Sequence, residues 1–303
     1  MIEIIKNTNI DFMGKRKICF AISGAFALLG LFAVVQVGTG RANLGIDFAG
    51  GTSVQVKFNS TVALEEVRGA LEDAGLETFE LQDLPTENKI LVQVKKKGES
   101  LGKDSSIIID TMMERFGEMQ PVIDSTTEIG PKVGQRLKKD ALFAIMAATI
   151  GILLYVAFRF QFRFAIGATA ATFHDVLTVL AFFYITGREI NLILVSALLM
   201  IAGYSLTDTV VVFDRIRENL RSRYREHIHK VVNASINEVL SRTIIVSLTT
   251  LLAAVSLFFF GGEVIHDFSL AIILGVVVGT YSSIFVASPI VLLWGGRPIK
   301  KRR

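Results

Sequence analysis

The chain has 303 residues, of which 51% are hydrophobic, and its mean hydropathy is +0.51; these values exclude an ordinary soluble protein. A net charge of +4 does not point to nucleic acid, because the Lys and Arg residues flank apolar runs instead of forming one patch interleaved with aromatics. The single cysteine, Cys19, falls within the first apolar run, so neither an intramolecular disulfide nor a cysteine metal cluster can form.

Residues 1–17, with Lys15-Arg16-Lys17, read as a cytoplasmic N-terminus, and residues 18–37 as a first membrane span. The apolar core is too long for a signal-peptide h-region and no small-x-small cleavage site follows it, so an uncleaved anchor is expected. Residues 38–139 alternate between strand and helix patterns: a strand at 52–58, an amphipathic helix at 62–74, strands at 79–84 and 90–95, a helix at 105–116 and a last strand at 121–127. The order βαββαβ predicts an α+β ferredoxin-like domain, in topology only. Its Lys95-Lys96-Lys97 run reads as a solvated strand end, with an anionic-ligand site as the alternative.

Five more apolar segments follow, at 141–158, 164–185, 192–213, 243–260 and 268–294, each about long enough to span. Arg159, Arg163, the basic stretch 215–242 and the tail at 295–303 fall on one side, whereas Gly187-Arg188-Glu189 and 261–267 carry little positive charge. The positive-inside rule then puts both termini in the cytoplasm. The predicted fold is a membrane bundle of six transmembrane helices, with an extracytoplasmic α+β ferredoxin-like domain inserted between helices 1 and 2. Residues 140–294 form its five-helix region. Within 214–240, Ile216, Leu220, Tyr224, Ile228, Val231, Val232, Ile236 and Val239 recur at helical spacing, which predicts a basic amphipathic connector lying against lipid on the inner surface. Gly275 and Gly279 form a small-xxx-small pair suited to close helix packing.

Asp208 lies inside the fourth span, about a turn and a half before its polar end at Asp214. An ionised Asp deep in a membrane helix costs roughly 2.5 to 3.5 kcal/mol, so a residue kept there faces a partner or a water-filled path; a helix-packing bond is the alternative. Arg242, on the next span running the other way, falls at a similar depth, and the two can face each other. An Arg favours the carboxylate and hydrocarbon the neutral acid, so small movements would switch proton occupancy. A permanent ion pair, or snorkelling of Arg242 to the headgroups, would explain the same residues without a relay. His174 and Asp175 are adjacent in the third span and point about 100° apart, so they are not expected to face one site together; either is a secondary relay or packing candidate. Thr207 and Thr209 flank Asp208 and are set to bond either it or their own backbone. His266 and Asp267 read as ordinary loop residues. No Walker loop, HExxH, GxSxG or zinc-spaced histidine set occurs, so no enzyme, cofactor or metal is expected, and energy would come from an ion gradient.

The stretch Gly203-Tyr204-Ser205-Leu206-Thr207-Asp208-Thr209-Val210-Val211-Val212-Phe213-Asp214-Arg215-Ile216-Arg217-Glu218-Asn219 closely resembles the fourth-span motif of the SecF family of bacterial protein-export subunits, within the resistance-nodulation-division superfamily. Leu44-Gly45-Ile46-Asp47-Phe48-Ala49-Gly50-Gly51-Thr52 resembles the motif after that family's first span, and Leu240-Ser241-Arg242-Thr243 its fifth-span arginine motif. The family usually has Asn where this chain has Thr207. The resemblance implies a SecD partner supplying a related six-span half, association with the SecYEG channel and YajC, and outer domains that grip a translocating polypeptide while H⁺ or Na⁺ passes through the membrane part. Asp208 and Arg242 would be its ion-pathway residues. Gly45, Asp47, Gly50 and Gly51 permit a tight path from span into domain and form a hinge or a plain structural turn, with Asp47 capping or bracing it. A structural subunit without ion coupling and a small-molecule exporter of the same superfamily are the other readings.

Overall fold

The first long apolar helix, α1 (Arg16–Thr39), ends at Gly40, whose φ of 72° breaks the helical path. A short α2 (Ile46–Ala49) follows, then β1 (Gly51–Lys57), α3 (Leu64–Asp73), β2 (Glu80–Leu84), β3 (Lys89–Lys95), α4 (Lys103–Arg115) and β4 (Val122–Ile129). The remaining helices are α5 (Pro131–Arg159), α6 (Phe162–Ile185), α7 (Leu192–Ser222), α8 (Ile228–Phe260), α9 (Glu263–Ser282) and α10 (Ser288–Leu293). This computed structural model describes residues 8–76, 78–84, 88–95, 102–223 and 225–293, so Lys96, Lys97, Tyr224, Trp294 and the basic tail lie outside the described residues.

Two compact units result, one of residues 40–143 with 189–192, the other of the remaining helices. In the first, the strand order is β2-β3-β1-β4 with every neighbouring pair antiparallel, the ferredoxin-like arrangement expected from βαββαβ. Alternation along β1 and β3 turns Val54, Val56, Ile90, Val92 and Val94 inward, where they meet Val67 and Leu71 of α3 and Ile108 and Met112 of α4. Each such side chain contributes about 1.5 to 3 kcal/mol of burial. The edge strand β4 is largely exposed, and its partner register shifts between Gln55 and Val56.

Lys95 is not the solvated strand end expected. Its ammonium lies 2.7 Å from Glu80, 2.9 Å from Glu189 and 2.7 Å from Asn43 Oδ1, because the 189–192 segment belongs to this unit and delivers Glu189 to the strand end. Burial pushes the Glu189 carboxyl above its ordinary value despite the Lys95 contact.

Six helices are long and apolar enough to cross a membrane: Met13–Thr39, Pro131–Arg159, Phe162–Ile185, Leu192–Ser222, Ile228–Phe260 and Ile265–Leu293. Several extend past the apolar windows. α5 begins at Pro131, suited to a first helical position, and its first turns are polar, which hydropathy cannot register. The core of the helical unit forms around Phe164, Phe213, Ile216, Val232, Ile236, Ala287 and Val291, with the Phe164 and Phe213 rings edge to face at 5.1 Å.

The expected lipid-facing connector is instead the end of α7 and the start of α8, which lie only five residues apart in the chain. Ile216, Val231, Val232 and Ile236 are fully buried in the bundle core. Glu238 fastens this hairpin, taking hydrogen bonds from Arg215 at 2.5 Å, Asn219 at 2.7 Å and Arg223 at 2.9 Å. A helical repeat is the same for one helix on a membrane as for two helices packed on each other, and neither Gly nor Pro marks the turn. His266 and Asp267 also prove helical, near the start of α9, where Asp267 pairs with Arg188 and the His266 ring lies 4.0 Å from that of Phe258.

The last span is interrupted by a five-residue π-turn, Ser283–Ala287. Pro289 has no N–H for the carbonyl of Phe285, so the α-helical bond is lost there and the turn widens. Ser288 Oγ bonds back to the Ser283 carbonyl at 2.8 Å.

Candidate functional site

α7 is held against α9 by a stripe of small residues. A Cβ on Gly275 would strike Ile201, and one on Gly279 would come within 3.2 Å of Ser205 Cβ. This close approach places two carboxyl groups, from α6 and α7, among hydroxyls of the neighbouring helices.

Asp208 is 3% exposed. Its Oδ2 accepts a hydrogen bond from Ser247 Oγ of α8 at 3.2 Å, and Ser247 Oγ lies 2.7 Å from Thr280 Oγ1 of α9. Thr280 Oγ1 donates to the Val276 carbonyl at 2.9 Å, so the single Ser247 proton can serve either Asp208 or Thr280, and the two hydroxyls together line the carboxyl. Arg242 is exposed, five residues before Ser247, and among the described residues it makes no ion pair within 4 Å of Asp208; it acts on that carboxyl only through space. The pair does not close in this conformation, and neutral hydroxyls hold Asp208. Near it on the same two helices, Tyr204 OH, Ser241 Oγ and Thr243 Oγ1 are buried without a hydrogen-bond partner.

Thr207 and Thr209 bond their own helix, Thr207 Oγ1 to the Gly203 carbonyl at 3.3 Å and Thr209 Oγ1 to that of Ser205 at 3.1 Å. Neither reaches Asp208.

His174 and Asp175 do meet, contrary to the expectation from their helical offset. His174 Nδ1 lies 2.9 Å from Asp175 Oδ1, while Asp175 Oδ2 accepts from Ser205 Oγ of α7 at 2.5 Å and from Ser282 Oγ of α9 at 2.7 Å. The 100° rule describes where Cβ atoms point; an imidazole is long enough to swing back onto the next side chain. Asp175 is 0% exposed and uses both oxygens, so this cluster ties α6, α7 and α9 together. Ser205 and Asp208 are one turn apart on α7, which puts the two carboxyl sites about 4.5 Å apart along the helix axis.

In the other unit, the Gly45 N–H bonds the Ile190 carbonyl at 3.0 Å, and a Cβ there would come within 2.8 Å of Asn191 Cβ. Asp47 Oδ2 accepts the backbone N–H of Leu192 at 2.9 Å and so satisfies one of the free donors at the start of α7. Gly50 and Gly51 have φ of 81° and 151°, and a side chain on Gly51 would strike the Val94 carbonyl. The sequence motif is therefore a turn whose carboxylate caps a helix 145 residues away.

Sequence reasoning missed Ser205, Ser247, Thr280 and Ser282. Isolated hydroxyl residues in an apolar span carry little signal, although Ser282 continues the Gly275-Gly279 stripe at i, i+4, i+7 and could have been read with it.

Comparison with known proteins agrees with these motifs. Residues 108–297 match the family described as protein export membrane protein SecD/SecF, C-terminal, and residues 39–62 match the SecD/SecF GG motif, which contains Gly45, Asp47, Gly50 and Gly51. The chain belongs to the SecD/SecF family of protein-export membrane proteins. It is 59% identical over 304 residues to the protein translocase subunit SecF of Thermodesulfovibrio yellowstonii, covering 100% of both chains, and 42% identical to that of Calditerrivibrio nitroreducens, covering 96% of each. The crystal structure of SecDF, a translocon-associated membrane protein from Thermus thermophilus, superposes with a TM-score of 0.82 at 35% identity. That match covers 96% of this chain and 39% of the SecDF chain, so this chain spans about two fifths of that protein's length. A SecDF structure in a super-membrane-facing form gives a TM-score of 0.70, also at 35% identity. Family and spans together make this a multi-pass protein of the bacterial inner membrane.

Proposed function

We propose that this chain is the six-span half of an ion-driven export device that promotes the late stage of polypeptide translocation across the cytoplasmic membrane. It acts with a SecD-type partner half, beside the SecYEG channel and YajC, and its α+β domain lies on the outer face with both termini inside. The observation that carries the reading is the setting of Asp208: a carboxyl buried in a membrane span, held by the neutral hydroxyls of Ser247 and Thr280 and, among the described residues, by no cation within 4 Å. A carboxyl so placed can hold or release H⁺, or exchange it for Na⁺, with Arg242 favouring the charged form as it approaches. One charge crossing about 100 mV is worth about 2.3 kcal/mol, enough to shift a two-state equilibrium roughly 50-fold. The arrangement of small residues and hydroxyls between α7, α8 and α9 supports this reading, because a protonation change at Asp208 is felt by all three helices.

The test follows a slow-folding export substrate in cells whose only copy is this chain, comparing wild type with Asp208→Asn while assembly with the partner half is checked by co-purification. Export near the depleted level with an intact assembly is the expected result. Normal export would remove Asp208 from the energy path and leave a structural subunit. Repeating the assay with and without a sodium gradient at fixed pH identifies the coupling ion.

A further inference from the structure

At the end of α7, Arg217 and Arg221 share one helix face and, with Arg159 at the end of α5, line a groove of about 600 Å³ together with Asp214, Glu218 and Ser222. The two acids only partly offset the three guanidinium groups. Glu218 is engaged by Arg215 at 2.6 Å, and Asp214 approaches Arg159 only to 4.0 Å. Among the described residues, neither Arg217 nor Arg221 has a carboxylate within 4 Å. The Phe160 ring fixes the groove wall, with the Arg159 guanidinium 5.1 Å and that of Arg217 5.9 Å from its centre.

The position of the groove selects its ligand. Arg159 lies between Phe158 and Phe162, which are 96% and 68% exposed, and Leu154 one turn earlier is 64% exposed. These apolar side chains cover the lipid-facing surface up to the level of the arginines, so the groove sits where the hydrocarbon ends and the headgroups begin. A planar guanidinium matches a phosphate with two parallel hydrogen bonds, which a zwitterionic headgroup would contest with its own cation.

We propose that this groove binds the phosphate of an anionic phospholipid headgroup, with the acyl chains lying along Leu154, Phe158 and Phe162. The site does not depend on the export reading, only on the chain spanning a membrane. In a lipid, the glycerophosphate meets Arg217 and Arg221 while the apolar rim covers the chains; free phosphate would gain only the first contact.

The experiment is native mass spectrometry of the full chain in detergent, titrated with phosphatidylglycerol or phosphatidylcholine. Each basic side chain near an anionic lipid is worth about a fivefold factor, so Arg217→Gln with Arg221→Gln should weaken phosphatidylglycerol retention by about 25-fold and leave phosphatidylcholine unchanged. Asp214→Asn should tighten it. Equal retention of the two lipids by wild type, or wild-type retention by the double variant, overturns the proposal. So does full displacement of the lipid by millimolar inorganic phosphate, which would make the groove a site for the free anion. If the double variant loses its helical circular dichroism, Arg221→Gln alone, at an exposed position, decides by its fivefold effect.

Discussion

Asp175 and Asp208 project from neighbouring helices within about one turn of each other, yet their surroundings differ in one decisive respect. Asp175 spends both oxygens on an imidazole and two serine hydroxyls, while Asp208 has no imidazole and no cation against it and faces only the hydroxyls of Ser247 and Thr280. A saturated buried carboxyl is a fastener, because changing its protonation breaks several bonds at once. One held only by hydroxyls, which can accept as well as donate, can change state at smaller cost. The same contrast extends to the other unit, where Asp47 caps a helix and Glu189 is held by Lys95.

Four measurements press on this contrast. The largest effect is expected at Asp208, where Asp208→Asn abolishes the export contribution yet leaves chain abundance and thermal inactivation in detergent near wild type, since an amide keeps an oxygen for Ser247. Asp175→Ala does the reverse: it removes the acceptor shared by His174, Ser205 and Ser282 and lowers stability by about 3 to 5 kcal/mol, read as loss of the chain from the membrane. If Asp175→Ala were tolerated and Asp208→Asn destabilising, the roles would be exchanged. Asp47→Ala should cost about 1 kcal/mol, the usual loss of a helix N-cap, seen as faster hydrogen exchange at Leu192 and the next turn. The smallest effect is the pH response of Glu189. Burial raises its pKa in the folded chain, so the folded state holds the proton more tightly than the unfolded one. The stability from this group is complete below the ordinary glutamate value of 4.5 and is lost as pH rises through the raised value. Glu189→Gln should therefore flatten the fall in unfolding temperature over that interval.

The six spans and the βαββαβ order were legible because each rests on a short-range period, and the carboxyl and arginine of the spans because a charge in an apolar run needs a reason. What could not be read depended on distance in the chain. The Asp47 bond to Leu192 crosses 145 residues, and Ser247 and Thr280 reach Asp208 from two other helices. The His174–Asp175 contact was misjudged because helical geometry fixes the direction of Cβ, not the reach of a ring. The break between α7 and α8 left no mark, since neither Gly nor Pro stands between Ser222 and Ile228 to signal it.

The π-turn before Pro289 bears on how the last span can move. Such a wide turn can in principle migrate along a helix, rotating the residues it passes by about 100° each. Here it is pinned, because proline can never restore the missing bond to Phe285. The wide turn thus sets the rotation of Thr280 and Ser282, just ahead of it, relative to the helix that continues beyond Pro289.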